Sequence, residues 1–322
     1  MSNRWKRGGA KDVLIRYFLL IATVLTGVMF AVCEPNFLKV SNLLDILRAA
    51  AITGICSVGL TIVQASGEFD FAVGAQSSLA AVVIAKLMVE SIPNFYICLA
   101  VTMVLSVLVG LFHSFLVLNL NIRAWVATFG VSTLLNGVCK YMTGGGTFYS
   151  MSWPSGFSML GQGFLFGLVP IPAILFILVV AAAFVFCEHT RTGRYIYAVG
   201  SNAAASQHVG IDCVRQKRLS FLLCSLCCGF AGIVQASMLS SVTPNIGDSN
   251  MLPAISTCML GATFLKPGVF NICGSAVGAL LMAVISNGLT MIGASYFMKD
   301  IIQGVVLIFA VGFVAVINKG RR

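Results

Sequence analysis

A scatter of neutral polar side chains interrupts the apolar stretches of this 322-residue chain: Gln64, Ser66, Thr128, Ser132, Asn136, Gln235, Asn245 and Asn287. Amides and hydroxyls donate and accept hydrogen bonds without carrying charge. Gln64, Thr128, Asn136, Asn245 and Asn287 therefore suit a path for a neutral, hydroxyl-bearing solute. Taken singly, each more readily ties one helix to another. Two carboxylates, Glu68 and Asp70, stand just beyond the second apolar run. Carboxylates favour helix N-termini, so they can cap a broken helix or line the same path. Capping leads for Asp70, and Glu68 fits either role.

Catalytic constellations are missing from the sequence. It holds no G-x-x-x-x-G-K-[ST] phosphate loop, no H-E-x-x-H and no G-x-S-x-G. His113, His189 and His208 are scattered. Cys224-x-x-Cys227 has a redox spacing, but it lies in an apolar run without flanking cations, where cysteine serves as a small packing residue. No metal and no cofactor is expected on this chain. Work against a gradient then needs energy from another subunit or from a coupled ion. Ion-coupled carriers place ionisable residues deep in their spans; few candidates occur here, which argues against coupling.

The segment from Glu188 to Ser220 is polar and basic, with Arg191, Arg194, Arg215, Lys217 and Arg218. Inside it, Asn202 precedes Ala203, Ala204, Ala205, Ser206, Gln207 and His208, and Gly210 follows Val209. Asparagine is a good N-cap, the alanine run favours helix, and glycine is the usual stop. The spacing predicts a rigid helix of about two turns, roughly 10 Å long, suited to docking against another protein.

These groups need elements to hold them. The chain is 58% hydrophobic and only 9% charged, against about 25% charged for a soluble domain. It reads as an all-α polytopic membrane protein forming one domain, with a net charge of +10 that marks topology and not nucleic-acid binding. Apolar runs predict ten spans, near 14–33, 43–64, 71–89, 95–118, 124–142, 169–187, 219–240, 251–264, 269–292 and 300–317. The first is long enough to be a retained span and not a signal peptide. The third, after Gly67–Glu68–Phe69–Asp70, and the eighth, with Pro253, are interrupted, as is tolerated where a segment lines a cavity.

With both termini inside, Lys39, Arg48, Lys86, Lys140 and Lys299 fall outside, and the other fifteen of the 20 lysines and arginines fall inside. The N-terminal cations Arg4, Lys6, Arg7, Lys11 and Arg16 and the C-terminal Lys319, Arg321 and Arg322 belong to that inner set. The uncharged segment Gly144–Val169 falls outside; it is expected as a loop with interfacial Trp153 and phenylalanines. Ile62–Val63–Gln64–Ala65–Ser66 recurs as Ile233–Val234–Gln235–Ala236–Ser237. Each copy closes an apolar run, and the two runs point in opposite directions, the pattern of an inverted repeat of five plus five helices.

Four stretches also resemble a known family. They are Ser66–Gly67–Glu68–Phe69–Asp70–Phe71–Ala72–Val73–Gly74; Trp125–Val126–Ala127–Thr128–Phe129–Gly130; Thr192–Gly193–Arg194–Tyr195–Ile196–Tyr197–Ala198–Val199–Gly200–Ser201–Asn202 with Gly210–Ile211; and Leu260–Gly261–Ala262–Thr263 with Asn287–Gly288–Leu289. They are similar to the sugar-type permease subunits of bacterial ATP-binding-cassette importers, the ribose, xylose, arabinose and galactose group. The family pattern has glycine where Glu68 stands. The resemblance implies a multi-pass protein of the bacterial plasma (inner) membrane and a pore built by two permease copies or paralogues. It further implies an ATPase subunit that holds ATP and Mg, an external solute-binding protein, and a coupling helix at Asn202–Gly210. An ion-coupled secondary carrier acting without an ATPase is the alternative.

Overall fold

Long apolar runs fold to helices because a bilayer offers the backbone no other hydrogen-bond partners. The structure, a computed structural model, describes residues 10–91, 94–150 and 153–319. The expected inner cations Arg4, Lys6, Arg7, Arg321 and Arg322 lie outside the described residues.

Thirteen α-helices are described. Ten coincide with the predicted spans: α1 Ala10–Cys33, α2 Val40–Ala65, α3 Val73–Lys86, α4 Phe95–Ser114, α5 Ala124–Thr143, α7 Ile171–Phe184, α10 Cys213–Leu239, α11 Met251–Gly261, α12 Ile272–Met291 and α13 Tyr296–Lys319. Three short ones, α6 Ser155–Gln162, α8 Arg191–Ser201 and α9 Ala203–His208, lie between them. Widened π turns prolong α3, α4 and α7. Among the described residues seven helical segments are long and apolar enough to cross a membrane, namely those built on α1, α2, α3, α4, α7, α10 and α12. The protein is therefore an all-α, multi-pass membrane protein. α11 is only 11 residues long, half the length of a span.

The bundle is built around α2 and α10. Gly59 lies against Cys224 and Cys227, and Lys217 reaches Glu68. Rising numbers on α2 meet falling numbers on α10, so the two helices are antiparallel. Gln64 sits near the α9 end of the bundle and Gln235 near the α6 end. α3 and α4 pack on α10 from one side, and α11 and α12 on α2 from the other.

Two broken segments meet inside the bundle. The chain breaks after α2, turns at Gly67 (φ 85°) and restarts as α3. It breaks again after α10 and restarts as α11. Gly74 of α3 touches the Gly247 carbonyl ahead of α11, and a Cβ on either residue would fall within 3 Å of the other's backbone. The Gly247 N–H donates to Ser78 Oγ at 2.9 Å.

The segment expected as an interfacial loop is in part folded into the bundle: α6 packs inward, while Phe164, Phe166 and Leu168 stay exposed. Phe157 of α6 is fully buried. Gly161 lies against the Ser237–Met238 backbone, and Trp153 Nε1 donates to the Ser240 carbonyl at 3.1 Å. Four two-residue strands accompany it, pairing antiparallel as β1 Phe148–Tyr149 with β4 Ser241–Val242 and β2 Phe164–Leu165 with β3 Val169–Pro170. The plug has a simple cause: the 240–250 segment dives inward, and the backbone groups it exposes need partners.

Candidate coupling element and solute cavity

At the α9 end the basic segment forms a helical hairpin. Thr190 caps α8, its Oγ1 accepting from Gly193 N–H at 3.1 Å. Gly193, Ile196 and Val199 are buried on one face. This spacing of three was the available signal for α8, which the sequence reasoning missed. α9 begins as predicted: Asn202 Oδ1 accepts from Ala205 N–H at 2.9 Å. It ends at Val209, and Gly210 takes φ 82°. Ala203, Ala204, Ala205, Gln207 and His208 are exposed, as is Arg194 on α8; Ser206 alone in this turn points inward. The hairpin thus offers a small, rigid, uncovered knob.

The hairpin is braced against the foot of α2. A Cβ on Gly200 would lie 2.0 Å from the Ala65 carbonyl oxygen and 3.0 Å from Gly67 N. Only glycine allows backbone to approach backbone so closely. A second brace comes from α10, where Lys217 Nζ lies 2.6 Å from Glu68 Oε1, both side chains about one-fifth exposed (21% and 17%).

That same turn walls a cavity of about 470 Å³, lined by Gln64, Gly67, Glu68, Phe69, Arg123, Ala124, Trp125 and Phe270. Gln64 comes from the last turn of α2. Arg123 and Trp125 come from the start of α5, and Phe270 from the connection between α11 and α12. The size lies within the range of small-molecule clefts, about 300–1,000 Å³. Sequence reasoning named Gln64 and Glu68 but not Trp125, Arg123 or the Lys217 partner of Glu68.

The other candidate path residues lie elsewhere. Asp70 is fully buried. Its carboxylate accepts from Ala72 N–H at 2.8 Å, just ahead of α3, and from Gln76 Nε2 at 3.2 Å. His113 Nδ1 stands 3.4 Å from it. Ionisable groups are thus more central than the apolar runs suggested, because α4 carries His113 inward beside the broken segment. Thr128 accepts from Phe71 N–H at 3.0 Å and donates to the Ala124 carbonyl at 2.8 Å, clamping the wall from behind. Asn136, on α5, donates to both oxygens of Asp248, which sequence reasoning overlooked. Asn245 is exposed nearby in the diving segment. Asn287 donates to Asn42 Oδ1 at 2.9 Å, joining α12 to α2 away from the cavity. Among the described residues no cluster of three metal-ligating side chains occurs.

Comparison with known proteins places this arrangement. A family model described as branched-chain amino acid transport system / permease component matches residues 42–311. The ribose import permease protein of Escherichia coli (strain K12) is 32% identical over 308 residues, covering 95% of each chain. The ribose import permease protein of Bacillus subtilis (strain 168) is 30% identical over 292 residues, covering 88% of each chain. The galactose/methyl galactoside import permease protein of Escherichia coli (strain K12) is 29% identical over 310 residues, covering 91% of each chain. No solved structure matches.

Proposed function

The chain belongs to the branched-chain amino acid transport system / permease component family, and from that premise we propose that it is the permease subunit of a monosaccharide ATP-binding-cassette importer. It moves a small neutral sugar into the cell by alternating access. It catalyses no reaction itself; ATP and Mg are held by a separate ATPase subunit. Sugar, in preference to amino acid, follows from the ribose and galactose permeases that match over nearly the whole chain. The cavity's amide and three aromatic rings, beside a Glu68 paired with Lys217 and the donor-rich Arg123, agree with it.

The observation that carries the mechanism is the doubly braced hairpin. A motor seated on α9 would push on α8 and on the foot of α10. Both meet the turn at Gly67–Glu68, which is also a wall of the cavity. In this scheme the α9 end faces the cytoplasm, together with both termini. Ten helical segments enter the bilayer, five plus five in inverted order, and α11 among them covers only half of it. A second permease copy or a paralogue completes the pore, and a solute-binding protein delivers sugar at the α6 end.

The test is uptake into proteoliposomes. With ATPase and solute-binding protein present, labelled ribose or galactose should accumulate only when ATP is enclosed on the ATPase side, and an ATPase unable to hydrolyse should abolish it. The buried Asp70–His113 pair favours one other reading, an ion-coupled carrier. Accumulation driven by a proton or sodium gradient with no ATPase present would establish that carrier and remove the importer.

A further inference from the structure

The pentapeptide that occurs twice in the chain has been left in two different chemical states. In the second copy Gln235 is bonded at both ends of its amide: Nε2 donates to the Ile246 carbonyl at 3.0 Å, and Oε1 accepts from Asn250 Nδ2 at 2.7 Å. In the first copy Gln64 is just as buried, at 5% exposure, yet neither its amide oxygen nor its amide nitrogen has a partner. A buried amide left unmet is unfavourable, and evolution can replace it with leucine at little cost in shape. Gln64 differs from Gln235 in one relevant respect: it lines the cavity.

We propose that this cavity is a holding site for the transported sugar, with Gln64 as its hydrogen-bonding floor and Trp125 as its stacking face. A glutamine amide offers two donors and two acceptor positions, which matches a pair of neighbouring sugar hydroxyls. Trp125 is 56% exposed although it lines the cavity, so its ring is free to take the C–H face of a pyranose or furanose. Phe69 and Phe270 add apolar walls. Glu68 is neutralised by Lys217 at 2.6 Å, so the wall presents no free carboxylate to the solute. The site sits directly above the Gly200 and Lys217 braces, so the stroke that moves the turn would also open or crush it. This assignment rests on the sugar-importer reading above.

The test uses the full-length chain in lipid nanodiscs, without ATPase or binding protein, probed with D-ribose and D-galactose by saturation-transfer NMR. Wild type should give saturable binding of at least one of the two sugars. Gln64→Leu should weaken it about tenfold, the loss of one or two neutral hydrogen bonds, while leaving thermal stability equal or higher. Trp125→Ala should weaken it comparably, and Trp125→Phe should keep part of it. Should Trp125→Ala not fold, the Gln64→Leu and Trp125→Phe variants decide alone. Absence of saturable binding to wild type, or unchanged affinity in Gln64→Leu and both Trp125 variants, overturns the holding site. Failure of the complete ATP-driven system to take up either sugar would instead sink the importer reading, and the two failures are measured separately.

Discussion

Reversing the charge at either end of the Glu68–Lys217 contact should uncouple hydrolysis from transport. The ammonium and carboxylate are 2.6 Å apart, with side chains 21% and 17% exposed. A fully exposed pair contributes about 0–1 kcal/mol, and stripping one partner from a fully buried pair costs about 3–5 kcal/mol. A pair one-fifth exposed falls between, at about 2 kcal/mol, or roughly thirtyfold in an equilibrium between braced and unbraced turn. Glu68→Lys and Lys217→Glu would each set like charges against one another and exceed that figure. In the assembled transporter each single variant should keep ATP hydrolysis, lose about tenfold in uptake per ATP, and melt at a lower temperature. The double exchange should restore most of both. If the single variants transport normally, or the double exchange is no better than the worse single, the contact is not a strut and the force must enter elsewhere.

Other perturbations follow from the same geometry. Gly200→Val would put a side chain where even a Cβ meets the Ala65 carbonyl at 2.0 Å; the hairpin should shift, costing about 1–3 kcal/mol and lowering uptake while the isolated chain still inserts. Asn202→Ala removes the cap on Ala205 N–H, worth about 1 kcal/mol, and should weaken ATPase co-purification severalfold. Ala204→Pro should weaken it further, and unchanged pull-down in both would argue against docking at α9. Thr128→Val strands the Phe71 N–H at about 1–3 kcal/mol, so thermal stability should fall even in detergent, where no transport is possible.

The helical runs and the short helix α9 were legible in the sequence because each rests on a local rule. Apolar length marks a span, and an Asn-cap, an alanine run and a terminal glycine mark α9. What escaped was set by distance along the chain. Lys217 reads as one more cation in a basic loop until α10 folds back antiparallel to α2 and brings it 149 residues to Glu68. Trp125 stands only as one residue of a family-like stretch until α5 is placed beside the α2–α3 turn. Asp70 and His113 read as unrelated, yet two helices bring them together. α6 was taken for a loop because its apolar anchors, Phe157 and Trp153, carry no periodic pattern across eight residues. The twin pentapeptides show the limit most plainly. Identical sequence gives Gln235 a partner at each end of its amide and Gln64 none, because the surrounding helices, not the five residues, decide.

The turn from Asn202 to Ile211 closes its own hydrogen bonds. Asn202 binds forward to Ala205, its carbonyl takes Ser206 N–H, and Ile211 N–H returns to the Ser206 carbonyl. Its other ties are few: Asn202 N–H to the Ala198 carbonyl, Cys213 Sγ to the Ala203 carbonyl, and the inward Ser206. It is therefore close to a cartridge, set between α8 and α10 by a handful of contacts. On the proposed seating of an ATPase at α9, recombination that exchanged this short stretch between paralogues would hand an existing sugar route to a different motor.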